Sequence, residues 1–375
     1  MRYCTKCVLP DTHETVAFDE EGVCNICRQV EVKHTVIDWE ERDRMLQAIV
    51  NRYKDKGQYD CILPFSGGKD STFQLWYVTK VLGMKPLVVR FDHWGYRPLV
   101  QDNNTKVFKK LGVDVLQFTP NWKVVRLLML ESLKRTGDFC WHCHTGVYGY
   151  TMQISLKFGI PLVIWGESSS EFRAFHTFEE LEGLDERFFN QAINLGIDAK
   201  DMCQWLDGSV SERDLAPFMF PSDRELEALG SKSICLGDYI EWDIKQNVKI
   251  IKEELGWQGA GVEGIPPEYD YEKIECMWQG IRDYCKFIKR GHGRTNHLAC
   301  IDIRAGRITR EKGLELVSAY DGKRPASLDL FLKTLDITED EFMSIVKKTS
   351  VNDYDFDSTD IITGGPLPDM KDWKL

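Results

Sequence analysis

Short apolar runs alternate with amphipathic stretches over the first half of the chain. Four runs rich in branched and aromatic residues predict β-strands, at 61–65, 87–91, 113–118 and 161–165. Between them apolar positions recur at helical spacing, which predicts helices at 72–82, 105–111 and 124–134. Strands that alternate with helices favour a parallel, doubly wound sheet. We therefore expect an α/β fold.

The pattern is different on either side of this region. Residues 1–35 show little hydrophobic periodicity, and an amphipathic helix is predicted from Trp39 to Tyr53. Beyond about residue 172 the chain has helical spacing and is rich in charged and aromatic residues. We divide the chain into an N-terminal segment (1–35), an α/β domain (36–172) and a mostly helical C-terminal region (173–375).

Composition narrows the classes of partner. Of the 375 residues, 43% are hydrophobic, which is ordinary for a folded protein, and the formal net charge is −11. An acidic chain repels a polyanion, so we expect no nucleic-acid partner. The N-terminus lacks a secretory pattern and no stretch has the roughly 18 apolar residues of a membrane span, so we expect a cytoplasmic protein without membrane insertion.

Four of the twelve cysteines have the spacing of a metal knuckle. Cys4 and Cys7 form one CxxC pair, and Cys24 and Cys27 form a second after sixteen intervening residues. Four thiolates at this spacing are typical of tetrahedral Zn²⁺. Because all four positions around the ion would be filled by protein, we predict a structural zinc. Four unligated thiols are the alternative.

The residues after the first predicted strand suit an anion. Ser66-Gly67-Gly68-Lys69-Asp70-Ser71 lies between an apolar strand and a helix, where backbone N–H groups and the helix dipole face the same point. The spacing differs from GxxxxGK[ST], so the sequence does not predict a P-loop NTPase. A simple helix-starting turn is the structural alternative.

This motif resembles the PP-loop of the N-type ATP pyrophosphatases, which adenylate an oxygen and release pyrophosphate, and it implies an adenine nucleotide alpha hydrolase-like domain. The resemblance implies that Ser66, Gly67, Gly68 and Ser71 bind the phosphates of ATP and that Lys69 neutralises them. It also implies Mg²⁺ ligands at Asp70 and Glu167. Asp92 and Gly166 follow strands and are expected near the nucleotide, although Asp92 and Glu167 could equally be turn formers.

Longer motifs narrow the resemblance. Nearly the whole chain resembles the WbpG-type N-acetyl sugar amidotransferases of lipopolysaccharide O-antigen and surface-sugar biosynthesis. The resemblance rests on the double CxxC and on five further motifs, LPFSGGKDST at 63–72, DFCWHCHTG at 138–146, WGESSS at 165–170, LGDYIEW at 236–242 and DIRAGRITRE at 302–311. It implies that ATP activates the acetamido carbonyl of a nucleotide-linked sugar, with UDP and CMP carriers both open. Ammonia then replaces the oxygen to give an acetamidino group.

Ammonia must come from elsewhere. Residue 2 is Arg, so there is no N-terminal nucleophilic Cys, and no glutaminase elbow surrounds any cysteine. The resemblance implies a separate glutaminase and a cyclase-like partner akin to HisH and HisF. For the sugar-nucleotide diphosphate, a sugar carboxylate or pyrophosphate we expect a late basic cluster: His292, Arg294, Arg304, Arg307 and Arg310. A solvated helix face is the alternative for the arginines.

A second cysteine group leaves two other functions open. Cys140 and Cys143 form a CxxC pair within CWHCH. Thiolating PP-loop enzymes hold an iron–sulfur cluster with a comparable pair and a distant third cysteine, for which Cys235 is our candidate here. A second metal ion, a substrate-shaping or packing role, and redox chemistry are the alternatives for this group. A tRNA thiolase is thus the second enzyme hypothesis, and a non-catalytic nucleotide-binding scaffold is the third.

Overall fold

A computed structural model describes residues 1–13, 15–166, 188–351 and 360–362. Its centre is a five-stranded parallel sheet in the order β3-β2-β1-β4-β5. The strands are β1 (Cys61–Pro64), β2 (Pro86–Phe91), β3 (Asp114–Phe118), β4 (Leu162–Trp165) and β5 (Lys232–Cys235). The order changes direction between β1 and β4. Loops that leave the sheet at such a point open a crevice at its carboxyl edge.

The sheet is covered on both faces, which confirms the predicted α/β class. Cys61 and Leu63 of β1 point into one core and Ile62 points into another, as the two-residue period of a strand requires. Because the strands are buried on both sides, their sequences are continuous apolar runs. Within residues 1–166, as far as the structure describes them, the α-helices are α1 (Asn25–Thr35), α2 (Trp39–Tyr53), α3 (Lys69–Trp76), α4 (Pro98–Leu111), α5 (Trp122–Thr136) and α6 (Trp141–Phe158).

The second half is mainly helical, also as predicted. Its described α-helices are α7 (Ala199–Trp205), α8 (Glu212–Leu215), α9 (Asp223–Leu229), α10 (Ile244–Leu255), α11 (Gln279–Arg290), α12 (Arg294–Arg304), α13 (Arg310–Tyr320), α14 (Leu328–Leu335) and α15 (Glu339–Lys347). Two short parallel strands, β6 (Arg324–Pro325) and β7 (Ile361–Ile362), pair beside them. None of the described helices is both long enough and apolar enough to span a membrane.

One element of the sheet comes from an unexpected part of the chain. Strand β5 lies within the predicted C-terminal region, yet it pairs with β4 along all four of its residues. Helix α10 then packs against α3 and α4 on one face of the sheet. The α/β domain thus draws on residues well beyond 172.

The N-terminal segment packs far from its place in the sequence. Its small core contains the four knuckle cysteines together with Ala299 and Cys300 of α12. Two isolated antiparallel bridges, Tyr3 to Pro10 and Phe18 to Cys24, are the strand-like pairings of residues 1–24. The segment is therefore attached to the C-terminal helices.

Candidate nucleotide site and metal centre

The SGGKDS segment forms a loop at the carboxyl edge of the sheet. Strand β1 ends at Pro64 and α3 begins at Lys69, with Gly68 in extended conformation as its N-cap. Gly67 has a φ of 90°, which a residue with a Cβ rarely adopts. The loop therefore delivers consecutive N–H groups to the positive end of α3, as an anion-binding loop requires.

In this structure serine hydroxyls accept hydrogen bonds from the backbone N–H groups of the loop. The N–H of Gly67 donates to Ser71 Oγ over 3.1 Å, and the N–H of Gly68 donates to Ser66 Oγ over 3.3 Å. The two hydroxyl oxygens are 3.2 Å apart. An entering phosphate would have to replace these two neutral acceptors, and a charged acceptor forms the stronger bonds.

Lys69 is buried between two carboxylates. Its Nζ lies 2.6 Å from Asp70 Oδ2 and 2.9 Å from Glu272 Oε2, and only 5% of its side chain is exposed. Burial raises the pKa of the Glu272 carboxyl, but Lys69 and two other cations outweigh burial and lower that pKa to about 2. Arg294 extends the network, 3.6 Å from Glu272 and 3.4 Å from Asp283. The network surrounds the Lys69 side chain with carboxylates.

A second carboxylate reaches the loop from the same distant segment. A Cβ on Gly68 would lie 2.7 Å from Glu275 Oε2. The Glu275 carboxylate therefore occupies the space beside the loop, and glycine is needed at 68 to admit it. A carboxylate is compatible with phosphate at this distance only when a cation lies between them. Asp70 and Glu275 offer hard oxygen atoms of the kind that Mg²⁺ prefers, whereas Glu272 is buried against Lys69, and among the described residues these three carboxylates do not meet at one point.

The other side of the loop is lined by an amide and an indole. Trp257 Nε1 donates to the Gly67 carbonyl over 3.2 Å. Asn104, from α4, lies so close to Gly67 that a Cβ there would collide with its side-chain oxygen. The loop is thus enclosed by residues from α4, from the segment after α10 and from the segment before α11.

The remaining residues predicted around the nucleotide have different surroundings. Gly166 lies beside the loop, since a Cβ there would be 4.0 Å from Asp70 Cβ. Asp92 accepts from the Trp94 N–H over 2.9 Å and from the Thr119 hydroxyl over 3.2 Å, which is the hydrogen bonding of a turn former. Glu167 lies outside the described residues.

The four N-terminal cysteines meet at one point. Their sulfur atoms all lie within 4.8 Å of one another, with 4.0 Å from Cys4 to Cys27 and 3.8 Å from Cys7 to Cys24. Four sulfurs about 2.3 Å from one ion would be roughly 3.8 Å apart. Within the described ranges no other set of three or more His, Cys, Asp or Glu side chains meets this test. The set has the geometry of a closed four-thiolate metal site.

Two of the predicted substrate arginines belong to this metal centre instead. Arg304 donates to Cys27 Sγ over 3.4 Å and to Cys7 Sγ over 3.6 Å. Arg310 donates to the carbonyls of Cys4 and Cys7. Four thiolates around a divalent ion carry a net charge of −2, so a guanidinium beside them is electrostatically favourable. These arginines attach the knuckle to α12 and α13.

The other members of the basic cluster are also dispersed. Arg307 forms ion pairs with Asp243 at 2.7 Å and with Asp302 at 3.1 Å. His292 is buried and stacks on the ring of His13 with centroids 5.4 Å apart, against the N-terminal segment. Arg294 alone reaches the Lys69 network, through Glu272. The three arginines at 304, 307 and 310 do not form one shared surface.

The second cysteine group has a different third member from the predicted one. Cys140 is the N-cap of α6 and Cys143 lies in its first turn, and both pack in one core with Cys276. Cys235 lies on β5 in a separate core with Met152 and Trp165. Burial raises the pKa of the Cys143 thiol to about 12, and the charge of Cys276 is a further cause of that shift. Burial also raises the pKa of the Cys276 thiol to about 11. The three neighbouring thiols are therefore 140, 143 and 276.

Four residues of the loop surroundings were not predicted from the sequence. They are Asn104, Trp257, Glu272 and Glu275. Each is far from SGGKDS along the chain and none belongs to a recognisable motif. The acidic and aromatic composition of 267–275 was the one available signal, and it does not indicate which element the segment packs against.

One family model matches part of the C-terminal region. The family model described as "LPS biosynthesis protein WbpG-like, C-terminal domain" matches residues 267–366, a stretch that includes Glu272, Glu275 and Arg294. Over 164 residues the chain is 24% identical to "Uncharacterized protein MJ1599" of Methanocaldococcus jannaschii, covering 44% of this chain. The chain spans 58% of the length of that curated relative.

Comparison with solved structures gives distant likenesses. The U34-tRNA thiolase NcsA from Methanococcus maripaludis, solved with its 4Fe-4S cluster, has 14% identity and a TM-score of 0.32, over 84% of this chain and 89% of that one. NMN synthetase from Francisella tularensis has 12% identity and a TM-score of 0.28, over 58% and 96%. At these TM-scores neither likeness carries an argument.

Proposed function

We propose that the protein is an ATP-dependent amidotransferase that converts the acetamido group of a nucleotide-linked N-acetyl sugar to an acetamidino group. The observation that carries the proposal is the Lys69–Glu272 contact. It joins the anion loop of the α/β domain to the segment that matches a WbpG-like domain. One site thus combines a loop suited to phosphates with a domain related to surface-sugar biosynthesis.

The proposed reaction has two balanced steps. In the first, the acetamido oxygen attacks the α-phosphorus of ATP, the bond to the β-phosphate breaks and pyrophosphate leaves. In the second, ammonia adds to the activated carbon, the carbon–oxygen bond breaks, and AMP leaves with the former amide oxygen while ammonia loses a proton. Activation is needed because an amide oxygen is a poor leaving group, whereas AMP is a good one.

The chain's own residues supply binding and charge. The N–H groups of Gly67 and Gly68, with Ser66 and Ser71, would hold the phosphate oxygens. Lys69 would stabilise the charge that develops on pyrophosphate. Asp70 and Glu275, the carboxylates beside the loop, would supply ligands to Mg²⁺, which would neutralise the phosphates, while Glu272 would stay paired with Lys69. The enclosed loop limits access of water, which would otherwise hydrolyse the activated sugar back to the acetamide.

The test is to measure AMP formation with Mg²⁺, ammonium and a panel of UDP- and CMP-linked N-acetyl sugars. We expect AMP only when one sugar nucleotide is present, together with a sugar product in which NH replaces one oxygen by mass spectrometry. AMP formation that no sugar nucleotide stimulates would contradict the proposal.

One observation favours a second function. The thiols of Cys140, Cys143 and Cys276 share one core, and Cys276 directly follows Glu275 at the loop. A tRNA thiolase with an iron–sulfur cluster on these three sulfurs would use the same activation and exchange oxygen for sulfur. Iron in the anaerobically purified protein, a broad visible absorbance lost in Cys276→Ser, and AMP formation stimulated by tRNA would select this function.

A further inference from the structure

Asn104 lies beside the SGGKDS loop, called the phosphate loop below, and its buried side-chain amide has no hydrogen-bond partner in the part of the chain that the structure describes. It lies on α4, is 2% exposed, and neither Oδ1 nor Nδ2 has a partner among the described residues. Buried amides are normally paired, so an unpaired one at a ligand site calls for a functional explanation. The side chains of Asn104 and Val100 fill the space that a Cβ on Gly67 would occupy.

The adjacent residue on the same helix provides a contrast. Asn103 is equally buried, and its Nδ2 donates to the Gln258 carbonyl over 2.8 Å while its Oδ1 accepts from the Gln258 N–H over 3.1 Å. Helix α4 therefore carries two consecutive buried amides, of which one is fully engaged and the other is not. The packing of α4 alone does not explain why Asn104 is a buried polar residue.

The loop offers a reason for the difference. In this structure the Gly67 and Gly68 N–H groups bond to serine hydroxyls. Phosphate would take these donors in place of the two serine hydroxyls, so the hydrogen bonding of the loop would change at Gly67. The residue that lies against Gly67, and has unused donors and an unused acceptor, is Asn104.

We propose that Asn104 is a positioning residue for the phosphate loop, and that its amide gains a hydrogen-bond partner in the Gly67 peptide when ATP binds. The inference rests on the proposed use of ATP. It accounts for a buried polar side chain beside Val100. It also predicts that the group helps binding and does not help the ligand-free fold.

The test compares Asn104→Leu with Asn103→Leu, two substitutions of the same kind at adjacent buried positions. Thermal unfolding of the ligand-free proteins is measured first. We expect Asn104→Leu to unfold at the wild-type temperature or above, because leucine leaves no unpaired group, and Asn103→Leu to unfold at a lower temperature. Asn104→Asp, which keeps the shape and replaces the donor with a charge, serves as a second variant should leucine not fit.

Binding is then measured by calorimetry with Mg²⁺ and α,β-methylene ATP, which cannot be cleaved at the reacting bond. We expect binding by Asn104→Leu about tenfold weaker than wild type, or about 1.4 kcal/mol. Wild-type affinity in Asn104→Leu and Asn104→Asp would overturn the inference, as would unfolding of Asn104→Leu at a temperature as low as that of Asn103→Leu. If the wild-type protein itself does not bind the analogue, the proposed function fails as well, so the two failures are distinguishable.

Discussion

Lys69 is the buried cation of the SGGKDS loop, and two carboxylates hold it in place. Its ammonium contacts Asp70 and Glu272, and its side chain is almost fully buried. A buried charge must be paired, and here the pairing aims it at the loop. Its contribution to catalysis and its contribution to folding can therefore be separated by changing each partner in turn.

Substitution of Lys69 by Ala should nearly abolish AMP formation. The ammonium would stabilise charge that develops on the departing pyrophosphate, and loss of one such group lowers kcat about a hundredfold or more. The control is Lys252→Ala, since Lys252 is a half-exposed lysine that pairs with Asp270 on the neighbouring segment. Near-wild-type AMP formation by Lys69→Ala would exclude the loop as the reaction site.

Glu272 links stability to pH. Its pKa is lowered from 4.5 to about 2, so the folded protein holds this carboxylate ionised where the unfolded chain takes up a proton. The contribution is fully present above pH 4.5 and is lost as the pH falls toward 2. We expect Glu272→Gln to lower the free energy of unfolding by roughly 3 kcal/mol near pH 7.

The difference between Glu272→Gln and wild type should shrink as the pH is lowered below 4.5. Urea unfolding at a series of pH values measures it, with the exposed Glu268→Gln as the control. A difference that stays constant with pH would show that the ion pair with Lys69 does not form.

The sequence predicts the site residues that lie within the SGGKDS motif and misses those that lie far from it along the chain. The loop residues are contiguous, and glycine and serine before a helix have a direct physical meaning. Asn104, Glu272 and Glu275 reach the loop through tertiary packing, which no local spacing records. The charge of Arg304 and Arg310 predicts an anionic substrate, whereas their partners in the structure are the knuckle sulfurs and carbonyls.

At the scale of elements, strong periodicity gave reliable predictions. Helix α2 has the predicted bounds, Trp39–Tyr53, and β1 to β4 occur close to the predicted runs. Strand β5 has the sequence KSIC, too short and too polar for a pattern to distinguish it from a loop. It is a strand because β4 offers it an open edge. The knuckle was predictable because metal spacing is itself local.

The knuckle is the element that metal should hold together. We expect about one Zn²⁺ per chain, lost in Cys24→Ser, with lower thermal stability in the variant because metal binding supplies folding free energy. Elemental analysis and thermal unfolding measure both effects. Cys203→Ser, which changes a half-buried thiol outside the site, should keep its zinc. Freshly purified wild-type protein without zinc would refute the assignment of this metal.

At the scale of the whole molecule, the C-terminal region completes the site of the α/β domain. The segment before α11 supplies Glu272 and Glu275, and α12 supplies Arg294. The same helix α12 carries the knuckle through Arg304. Neither a nucleotide site nor a metal centre is therefore confined to one stretch of the sequence.

The proposed reaction needs a source of nitrogen. Because the sequence has no recognisable glutaminase nucleophile, we expect the isolated protein to form product with free ammonium and not with glutamine. Addition of a glutaminase and cyclase-like pair should restore use of glutamine. The measurement is product formation by mass spectrometry with each nitrogen source. Glutamine-dependent product from the purified single chain would reveal a glutaminase site within it.

The central claim is that ATP activates the acetamido oxygen of the sugar. The most direct measurement uses a sugar nucleotide labelled with oxygen-18 in the acetamido carbonyl, incubated with ATP, Mg²⁺ and ammonium. If the oxygen attacks the α-phosphorus, the label must appear in the phosphate of AMP, one labelled AMP for each acetamidino sugar formed. Unlabelled AMP, or label that stays in the sugar while AMP accumulates, would contradict the account.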